Sequence, residues 1–347
     1  MKSAPEVQSP PTQERPDGVA ERAAPTGRRR LLDVTKSPLF AVILGLAALL
    51  IVFSIIDGPA FGSVTNFRNI ALDVSLTLIL GVGVTYVIIT AGFDLSVGSV
   101  LVFSGVVSVK VMEQVGGGGW GTALVGLVAS LLAGAAWGAV NGALVAYARL
   151  NPIIVTLGSF GAALGLAQVI SNGQDLVAVP TSMIELGSDR ILGIPPIAFI
   201  ALGFAAVAGI VLSKTAFGRY THAIGSSKEA ARRAGLRVER HLLAVYTFCG
   251  MAAGLAGWLA LARFSTTSIS GHSLDSLNAA TAALLGGVSL YGGVGTILGT
   301  VFGAFIPGVL ANGLVIADVQ SYWQQVVTGG VLVLAVYIDR ERRQRDE

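Results

Sequence analysis

Long apolar stretches with almost no charged residues follow one another from residue 38 to residue 338. Each is about 20 residues long, which is the length that an α-helix needs to cross the hydrocarbon core of a bilayer. A helix satisfies its backbone hydrogen bonds within one segment, and the stretches lack the alternation of barrel strands. The pattern predicts ten spans: Pro38–Ile56, Ile70–Thr90, Val97–Val115, Trp120–Ala146, Pro152–Ile170, Pro195–Leu212, Leu242–Leu261, Leu277–Leu290, Thr296–Ile316 and Trp323–Ile338. We therefore expect an all-α polytopic membrane protein.

The composition supports this interpretation. Only 12% of the 347 residues are charged, whereas 53% are hydrophobic. The charged share is about half that of an average soluble domain, which excludes an ordinary water-soluble globule. The formal net charge of +3 does not indicate nucleic-acid binding, because the basic residues flank apolar spans without interleaved aromatic residues.

Residues that carry metal, redox or catalytic chemistry are few and scattered. Cys249 is the one cysteine, so neither an intrachain disulfide nor a cysteine zinc cluster can form. The three histidines are far apart, and no nucleophile and base stand at reactive spacing. We expect no metal site, no cofactor and no enzymatic activity.

The basic residues predict the orientation of the chain. With the N-terminus inside, 19 of the 23 Lys and Arg residues fall on the cytoplasmic side, and the outer side receives Arg68, Lys110, Arg190 and Arg263. The positive-inside rule then predicts that both termini are cytoplasmic, which requires an even number of spans. This orientation fits a multi-pass protein of a bacterial inner membrane.

The sequence divides into three parts. Residues 1–37 are rich in proline and polar residues, and we expect them to form a disordered cytoplasmic tail. Residues 38–338 form the transmembrane domain, which contains a basic cytoplasmic loop at residues 213–241. Residues 339–347 form a second cytoplasmic tail.

Two spans share a pattern of small residues that ends in Asn-Gly. These residues are Gly134, Gly138, Asn141 and Gly142 in the fourth span and Gly303, Gly308, Asn312 and Gly313 in the ninth. Copies that lie five spans apart are upside down relative to each other, as in the inverted repeats of many transporters. The pattern is compatible with a 5+5 inverted repeat, and the simpler interpretation is that small residues at this spacing allow helices to pack closely.

The loop at residues 213–241 contains a short predicted helix. Ser226-Ser227-Lys228-Glu229 has the form of a capping box, in which Ser226 accepts from the third amide and Glu229 reaches back. The helix would end at Gly235, which can adopt the left-handed conformation. Such a helix suits docking into a groove of a cytoplasmic partner. The alternative is a basic segment that is attracted to anionic lipid headgroups.

Several motifs resemble those of a known family. The spacing Glu229-Ala230-Ala231-x-x-x-Gly235 resembles the EAA-type loop of permeases from ATP-binding cassette (ABC) importers. The stretch Gly92-Phe93-Asp94-Leu95-Ser96-Val97-Gly98-Ser99 resembles the signature of the ribose and xylose type of monosaccharide permease. Further similar stretches are Asn141-Gly142, residues 152–158, Phe217-Gly218-Arg219, residues 285–290 and residues 323–327. The resemblance extends from about Pro38 to Asp339.

This resemblance implies a permease subunit of an ABC importer that carries a ribose-like or xylose-like monosaccharide across the inner membrane. Its partners would be ABC ATPase subunits, a periplasmic sugar-binding protein and a second permease copy in a homodimer, with membrane lipid around the spans. ATP hydrolysis would belong to the ATPase, since this chain has no Gly-x-x-x-x-Gly-Lys-Ser/Thr phosphate loop. The ATPase-coupling residues would be Arg219, Ser226, Glu229, Ala230, Ala231 and Gly235.

The signature stretch supplies candidate gate residues. These are Asp94, Ser96 and Gly98. An ionisable group near a membrane boundary is costly unless it is paired or faces a water-filled cavity. Asp94 and Ser96 could instead cap the third span through its free amides, which we consider the more favoured role.

Polar residues within the spans supply a candidate substrate path, because a neutral sugar needs hydroxyl and amide partners. The candidates are Asn141, Thr156, Ser159, Asn278 and Asn312. Each could instead bond one helix to another. The short eighth span, which contains Gly286-Gly287, points to a translocation path in the same region.

Other functions fit the sequence less well. A permease for a branched-chain amino acid or a nucleoside is disfavoured by Asp94-Leu95-Ser96. A stand-alone secondary carrier would be expected to contain a chain of buried ionisable residues, and such residues are sparse.

Overall fold

The computed structural model describes residues 38–272 and 274–346, and the regular structure within them is helical. Fourteen helices follow one another in these ranges: α1 (Pro38–Ile56), α2 (Gly58–Phe61), α3 (Val64–Ile89), α4 (Val97–Val115), α5 (Trp120–Ala146), α6 (Pro152–Ser171), α7 (Thr181–Ser188), α8 (Pro196–Lys214), α9 (Ala216–Ser226), α10 (Lys228–Arg233), α11 (Val238–Phe264), α12 (Asp275–Leu285), α13 (Ile297–Ile316) and α14 (Ser321–Asp346). The all-α prediction is confirmed. The predicted tail at residues 1–37 lies outside the described residues.

Within the described ranges, eight helices are long and apolar enough to cross a membrane: α1, α3, α4, α5, α6, α8, α11 and α13. They coincide with eight of the ten predicted spans. The other two predicted spans fall on α12, which has only 11 residues, and on α14, which continues past residue 338 to Asp346. The chain is thus a polytopic membrane protein, and the count of ten spans stays a prediction.

Several predicted boundaries differ from those of the helices; the seventh span, for example, lies within the longer helix Val238–Phe264, and two differences have a clear local reason. The second span begins earlier, at Val64, because the Oγ of Ser63 accepts a hydrogen bond from the amide of Asn66 at 3.1 Å. The eighth ends earlier, at Leu285, since the backbone turns at Gly287, which has a left-handed φ of 87°. At 11 residues, α12 is roughly 16 Å long, about half of the hydrocarbon thickness.

The helices pack in pairs that correspond between the two halves of the chain. Helix α3 packs on α11, and these are the second and seventh predicted spans. The contacts of α11 with α4 and α5 correspond to those of α3 with α12 and α13, and the α4–α5 pair corresponds to the α12–α13 pair. An inverted repeat would produce this correspondence, and the repeat itself stays a prediction.

Helices α5 and α11 approach each other at backbone distance, because glycines line both faces of their contact. A Cβ atom on Gly134 would collide with the carbonyl oxygen of Gly250, and one on Gly254 would collide with that of Ser130. The hydroxyl of Ser130 donates to the carbonyl of Gly254 at 2.7 Å. Small residues therefore allow these two long helices to pack closely against each other.

We expect Gly250→Val to lower the stability of the purified protein by about 3 kcal/mol or more, because added methyl groups would meet backbone that cannot move aside. Gly203→Val is the matched control, since a Cβ atom at Gly203 has no neighbour within 4 Å. The measurement is the apparent Tm of both variants in detergent. Equal Tm values would contradict the packing described for α5 and α11.

Candidate functional site

The signature stretch forms a buried turn between α3 and α4. Oδ1 of Asp94 accepts from the amide of Ser96 at 2.8 Å and from its hydroxyl at 2.6 Å. Nδ2 of Asn141, on α5, donates to the Oγ of Ser96 at 2.9 Å. Asp94 is only 2% exposed, and the thiol of Cys249 lies beside it. The turn is thus fixed by a continuous hydrogen-bond chain that reaches two neighbouring helices.

The prediction that Asp94 and Ser96 cap the amides of α4 is confirmed for Asp94, which accepts from the amide of the N-cap residue Ser96, and is wrong for Ser96. The side chain of Ser96 makes no cap bond to the amides that follow it. The amide of Gly98 instead donates to the Oγ of Ser276, on α12, at 2.9 Å. A free helix amide can be satisfied by any nearby acceptor, and here a different helix supplies it.

Helices α4 and α12 therefore meet at their N-terminal ends inside the bundle. Ser276 is 3% exposed. A Cβ atom on Gly98 would lie 2.8 Å from the carbonyl oxygen of His272 and 3.0 Å from the Oγ of Ser276. The residue at position 98 must be glycine for the two helix ends to come this close.

Two cavities adjoin this junction. The first, which we call the outer cavity, has a volume of 240 Å³ and lies among α3, α11, α12 and α13, with Asp73, Phe264, His272, Asp275 and Asn278 in its wall. It lies toward the end of the bundle that is predicted to face outward. The second has a volume of 230 Å³ and lies between α4 and α6. His272 lines both cavities, so it stands between them.

The wall of the outer cavity contains one ion pair and one hydrogen bond between an imidazole and a carboxylate. Arg263 donates to Oδ1 of Asp73, which joins the outer part of α3 to the end of α11. Nδ1 of His272 donates to Oδ2 of Asp275 at 2.7 Å. Each contact uses one oxygen of its carboxylate.

The structure separates the predicted path residues into two groups. Thr156 donates to the carbonyl of Pro152 at 2.9 Å within its own helix, and Ser159 accepts from the indole of Trp137. Asn141 holds the signature turn. These three residues lie in protein-to-protein hydrogen bonds, and their role in the path stays a prediction.

Asn278 and Asn312 differ from these three residues in their hydrogen bonding. Asn278 lies in the wall of the outer cavity. The Oδ1 atoms of both residues are buried and have no hydrogen-bond partner among the described residues. Asn312 is not among the residues that line the outer cavity.

Sequence reasoning missed His272 and Asp275 as site residues. Their spacing of three positions before an apolar helix was the available signal, because it places the imidazole beside the carboxylate. The pairing of Asp73 with Arg263 joins residues 190 positions apart, and no local pattern indicates it.

The predicted cytoplasmic loop contains two helices, α9 and α10. The prediction that Ser226 caps the second one is wrong, because Ser226 ends α9 and its hydroxyl donates to the carbonyl of His222 at 3.0 Å. Ser227 is the cap, and its Oγ accepts from the amide of Ala230 at 3.2 Å. The predicted end at Gly235 is confirmed, since this residue has a left-handed φ of 83°.

One face of α10 is anchored and the other is free. Ala231 is 4% exposed and packs with Ala146, Ile224, Val238 and Leu242. By contrast, the side chain of Glu229 is 69% exposed, and its carboxylate lies 3.5 Å from the guanidinium of Arg233.

The free face of α10 is mixed in charge. Ala230, Arg232 and Gly235 are exposed, as is Arg219 on α9. Partial burial, together with the guanidinium of Arg232, lowers the pKa of Lys228. The buried face fixes α10 to the bundle. The exposed face, which we call the ridge, carries acidic and basic side chains and is available for contact with another protein.

The end of α9 is joined to the rest of the protein by backbone contacts. A Cβ atom on Gly225 would collide with the carbonyl oxygen of Ile89, at the end of α3, and would lie 2.6 Å from the amide of Gly293. Nδ1 of His222 donates to the carbonyl of Gly293 at 3.0 Å, and the amide of Gly293 donates to Ile89 at 2.8 Å. We call this contact of His222, Gly225, Ile89 and Gly293 the α9 joint. It ties the helices of the predicted cytoplasmic loop to the turn that follows α12.

Comparison with known proteins gives a consistent family. Residues 66–336 match the family described as "Branched-chain amino acid transport system / permease component". The chain is 38% identical over 308 residues to the "Ribose import permease protein RbsC" of Escherichia coli (strain K12), covering 86% of this chain and 93% of that protein.

Two other relatives show similar coverage. The chain is 33% identical to the "D-allose transport system permease protein AlsC" of Escherichia coli (strain K12), over 85% of this chain and 89% of that protein. It is 35% identical to the "L-arabinose ABC transporter permease protein AraH" of Azospirillum brasilense, over 83% of each chain. No solved structure matches the chain. The chain therefore belongs to the family described as branched-chain amino acid transport system / permease component, whose members here are membrane permeases of ABC importers and not enzymes.

Proposed function

We propose that this chain is the transmembrane permease subunit of an ABC importer that carries a monosaccharide, ribose-like or xylose-like, across the inner membrane. ABC ATPase subunits would bind α10, a periplasmic sugar-binding protein would deliver the sugar, and a second copy of the chain would complete the pore. Both termini would be cytoplasmic. The observation that carries the proposal is α10 itself, a helix that is anchored through Ala231 and exposes Glu229 and Ala230.

A sugar is a better substrate than a branched-chain amino acid for this chain. The family description names the amino acid system, but the relatives described above are named for ribose, allose and arabinose. The outer cavity also favours a sugar, because it offers carboxylate, imidazole and amide groups that bind hydroxyls.

The α9 joint suggests how the ATPase could act on the pore. A movement of α10 would be carried through Gly225 to the turn at Gly293 and from there to the glycine-flanked end of α12. Helix α12 has one end at this turn and the other at the outer cavity. Its displacement when the ATPase subunits close would therefore change the shape of the cavity.

Transport with defined components tests the proposed function. Proteoliposomes that contain the permease with its ATPase, supplied with binding protein and ATP, are expected to accumulate labelled ribose. Permease alone is expected to accumulate none. Uptake by the permease alone would instead establish a stand-alone secondary carrier.

The double variant Glu229→Ala with Gly235→Val should uncouple hydrolysis from uptake, because it alters the exposed ridge and the left-handed turn that ends it. We expect sugar uptake to fall by roughly 5-fold to 150-fold, the range of typical coupling energies, while the ATPase still hydrolyses ATP. Lys214→Ala, at an exposed position in the same loop, is the control. Normal uptake by the double variant would exclude docking through α10.

Gly225→Ala should reduce uptake without preventing assembly, because the methyl group would force the end of α9 away from Ile89 and Gly293. Ala223→Val adds bulk to an exposed position on the same helix and should leave uptake unchanged. The measurements are co-purification of the ATPase and the rate of ribose uptake for each variant. Equal uptake rates in the two variants would show that the α9 joint transmits no movement.

A further inference from the structure

We propose that the outer cavity is the first sugar subsite of the permease, in which Asp275 and Asn278 accept hydrogen bonds from sugar hydroxyls and Phe264 packs against the C–H face of the ring. This inference rests on the proposed function and adds the residues that would hold the sugar. Asn278 was a candidate for the path, whereas Phe264, His272 and Asp275 are new.

The cavity presents hydrogen-bond acceptors that the protein leaves unused. His272 occupies only Oδ2 of Asp275, and Arg263 occupies only Oδ1 of Asp73. Oδ1 of Asn278 is buried and has no hydrogen-bond partner among the described residues, whereas the side chains of Asp73 and Asp275 are 47% and 21% exposed and can also be hydrated. A buried acceptor without a partner is costly, and a ligand that donates would remove that cost. Vicinal hydroxyls are such donors.

The apolar part of the wall is fixed in orientation. The ring of Phe264 packs edge-on against the imidazole of His272, with 5.9 Å between centroids, and the guanidinium of Arg263 lies 5.1 Å from the Phe264 centroid. Pro307 and Leu76 extend the apolar surface. The wall of the outer cavity thus combines a fixed apolar surface with several polar side chains.

The charges of the cavity select for a neutral ligand. Arg263 offsets the charge of Asp73, so this carboxylate is oriented and partly neutralised. With the charge of Asp73 offset, the carboxylate of Asp275 remains, and it disfavours organic acids and sugar phosphates. Within the described ranges, no group of three carboxylate, imidazole or thiol side chains is placed to hold a metal ion. A neutral polyhydroxylated molecule is the class that fits.

The size of the cavity agrees with a single small ring. Its 240 Å³ lies just below the roughly 300 to 1,000 Å³ of sites for drug-sized ligands. Because His272 also lines the second cavity, a sugar that leaves the outer cavity inward would pass this side chain.

The first experiment compares the variants Asn278→Ala and Asp275→Asn in proteoliposomes with ATPase, binding protein and ATP. The probes are labelled ribose, arabinose and allose. We expect each variant to lower ribose uptake roughly tenfold and to change the ratio of uptake among the three sugars, because each sugar places its hydroxyls differently. Thr281→Val is the matched control, since the Thr281 hydroxyl bonds the carbonyl of Leu277 on the same helix at 2.7 Å. A structural defect would lower all three rates equally, and that result would overturn the subsite.

The second experiment measures chemical labelling, so its result does not depend on transport by variants of the proposed binding residues. Thr77 lines the outer cavity, and the one native cysteine, Cys249, is buried, so Thr77→Cys gives a single accessible thiol. A membrane-impermeant thiol reagent added from outside is expected to label this variant, and ribose at high concentration is expected to slow the labelling. Ser130→Cys, at the buried α5–α11 contact, should stay unlabelled. Labelling of Thr77→Cys at the same rate with and without each of the three sugars would overturn the proposal.

The two levels of the proposal can fail separately. If the wild-type importer transports none of the three sugars with all components present, both the proposed function and the subsite are overturned. If wild-type transport is normal and the lining variants keep both the rate and the sugar ratio, only the subsite is overturned.

Discussion

A helix that begins away from water must find protein partners for its first amides, and this constraint organises the centre of the molecule. Both α4 and α12 begin inside the bundle, and the Ser276 hydroxyl satisfies the amide of Gly98 across the gap between them. Irregular chain precedes each of these helices. The buried bonds of Asp94, Ser96 and Asn141 hold the first such segment in place. The cavities arise here because two helix ends and two irregular segments fill space less completely than continuous helices do.

Helix α12 connects the regions that a coupled transporter needs to link. Its N-terminal turn lies at the outer cavity. The glycine-rich turn that follows its other end is part of the α9 joint. The long helices α5 and α11 pack at backbone distance and offer a rigid frame. Helix α12 is the short element that joins the outer cavity to the α9 joint, and it also packs closely on α13, because a Cβ atom on Gly303 would collide with the carbonyl oxygen of Ala282. The proposed mechanism assigns the motion to α12 because it joins these two regions.

The hydrophobic pattern was sufficient to predict where helices lie, because lipid leaves few alternatives for a 20-residue apolar stretch. It could not predict which neighbour satisfies a helix end. The amides of α4 illustrate this, since Ser276 lies 178 positions from Gly98 and no local motif connects them. The observed N-cap of α10 lies one residue after the predicted one, for a different reason. Ser226 and Ser227 are equivalent in sequence, and only the extent of α9 decides between them.

The most direct measurement is uptake by a protein in which α12 is reversibly fixed to α3. A Cβ atom at position 81 would lie 3.6 Å from the Cβ of Ala282, which is within the roughly 3.5 to 4.5 Å range of disulfides. The double variant Gly81→Cys with Ala282→Cys would therefore cross-link the two helices on oxidation. If α12 carries the motion, ATP-driven ribose uptake stops in the oxidised protein and returns on reduction. Undiminished uptake by fully cross-linked protein would contradict the account.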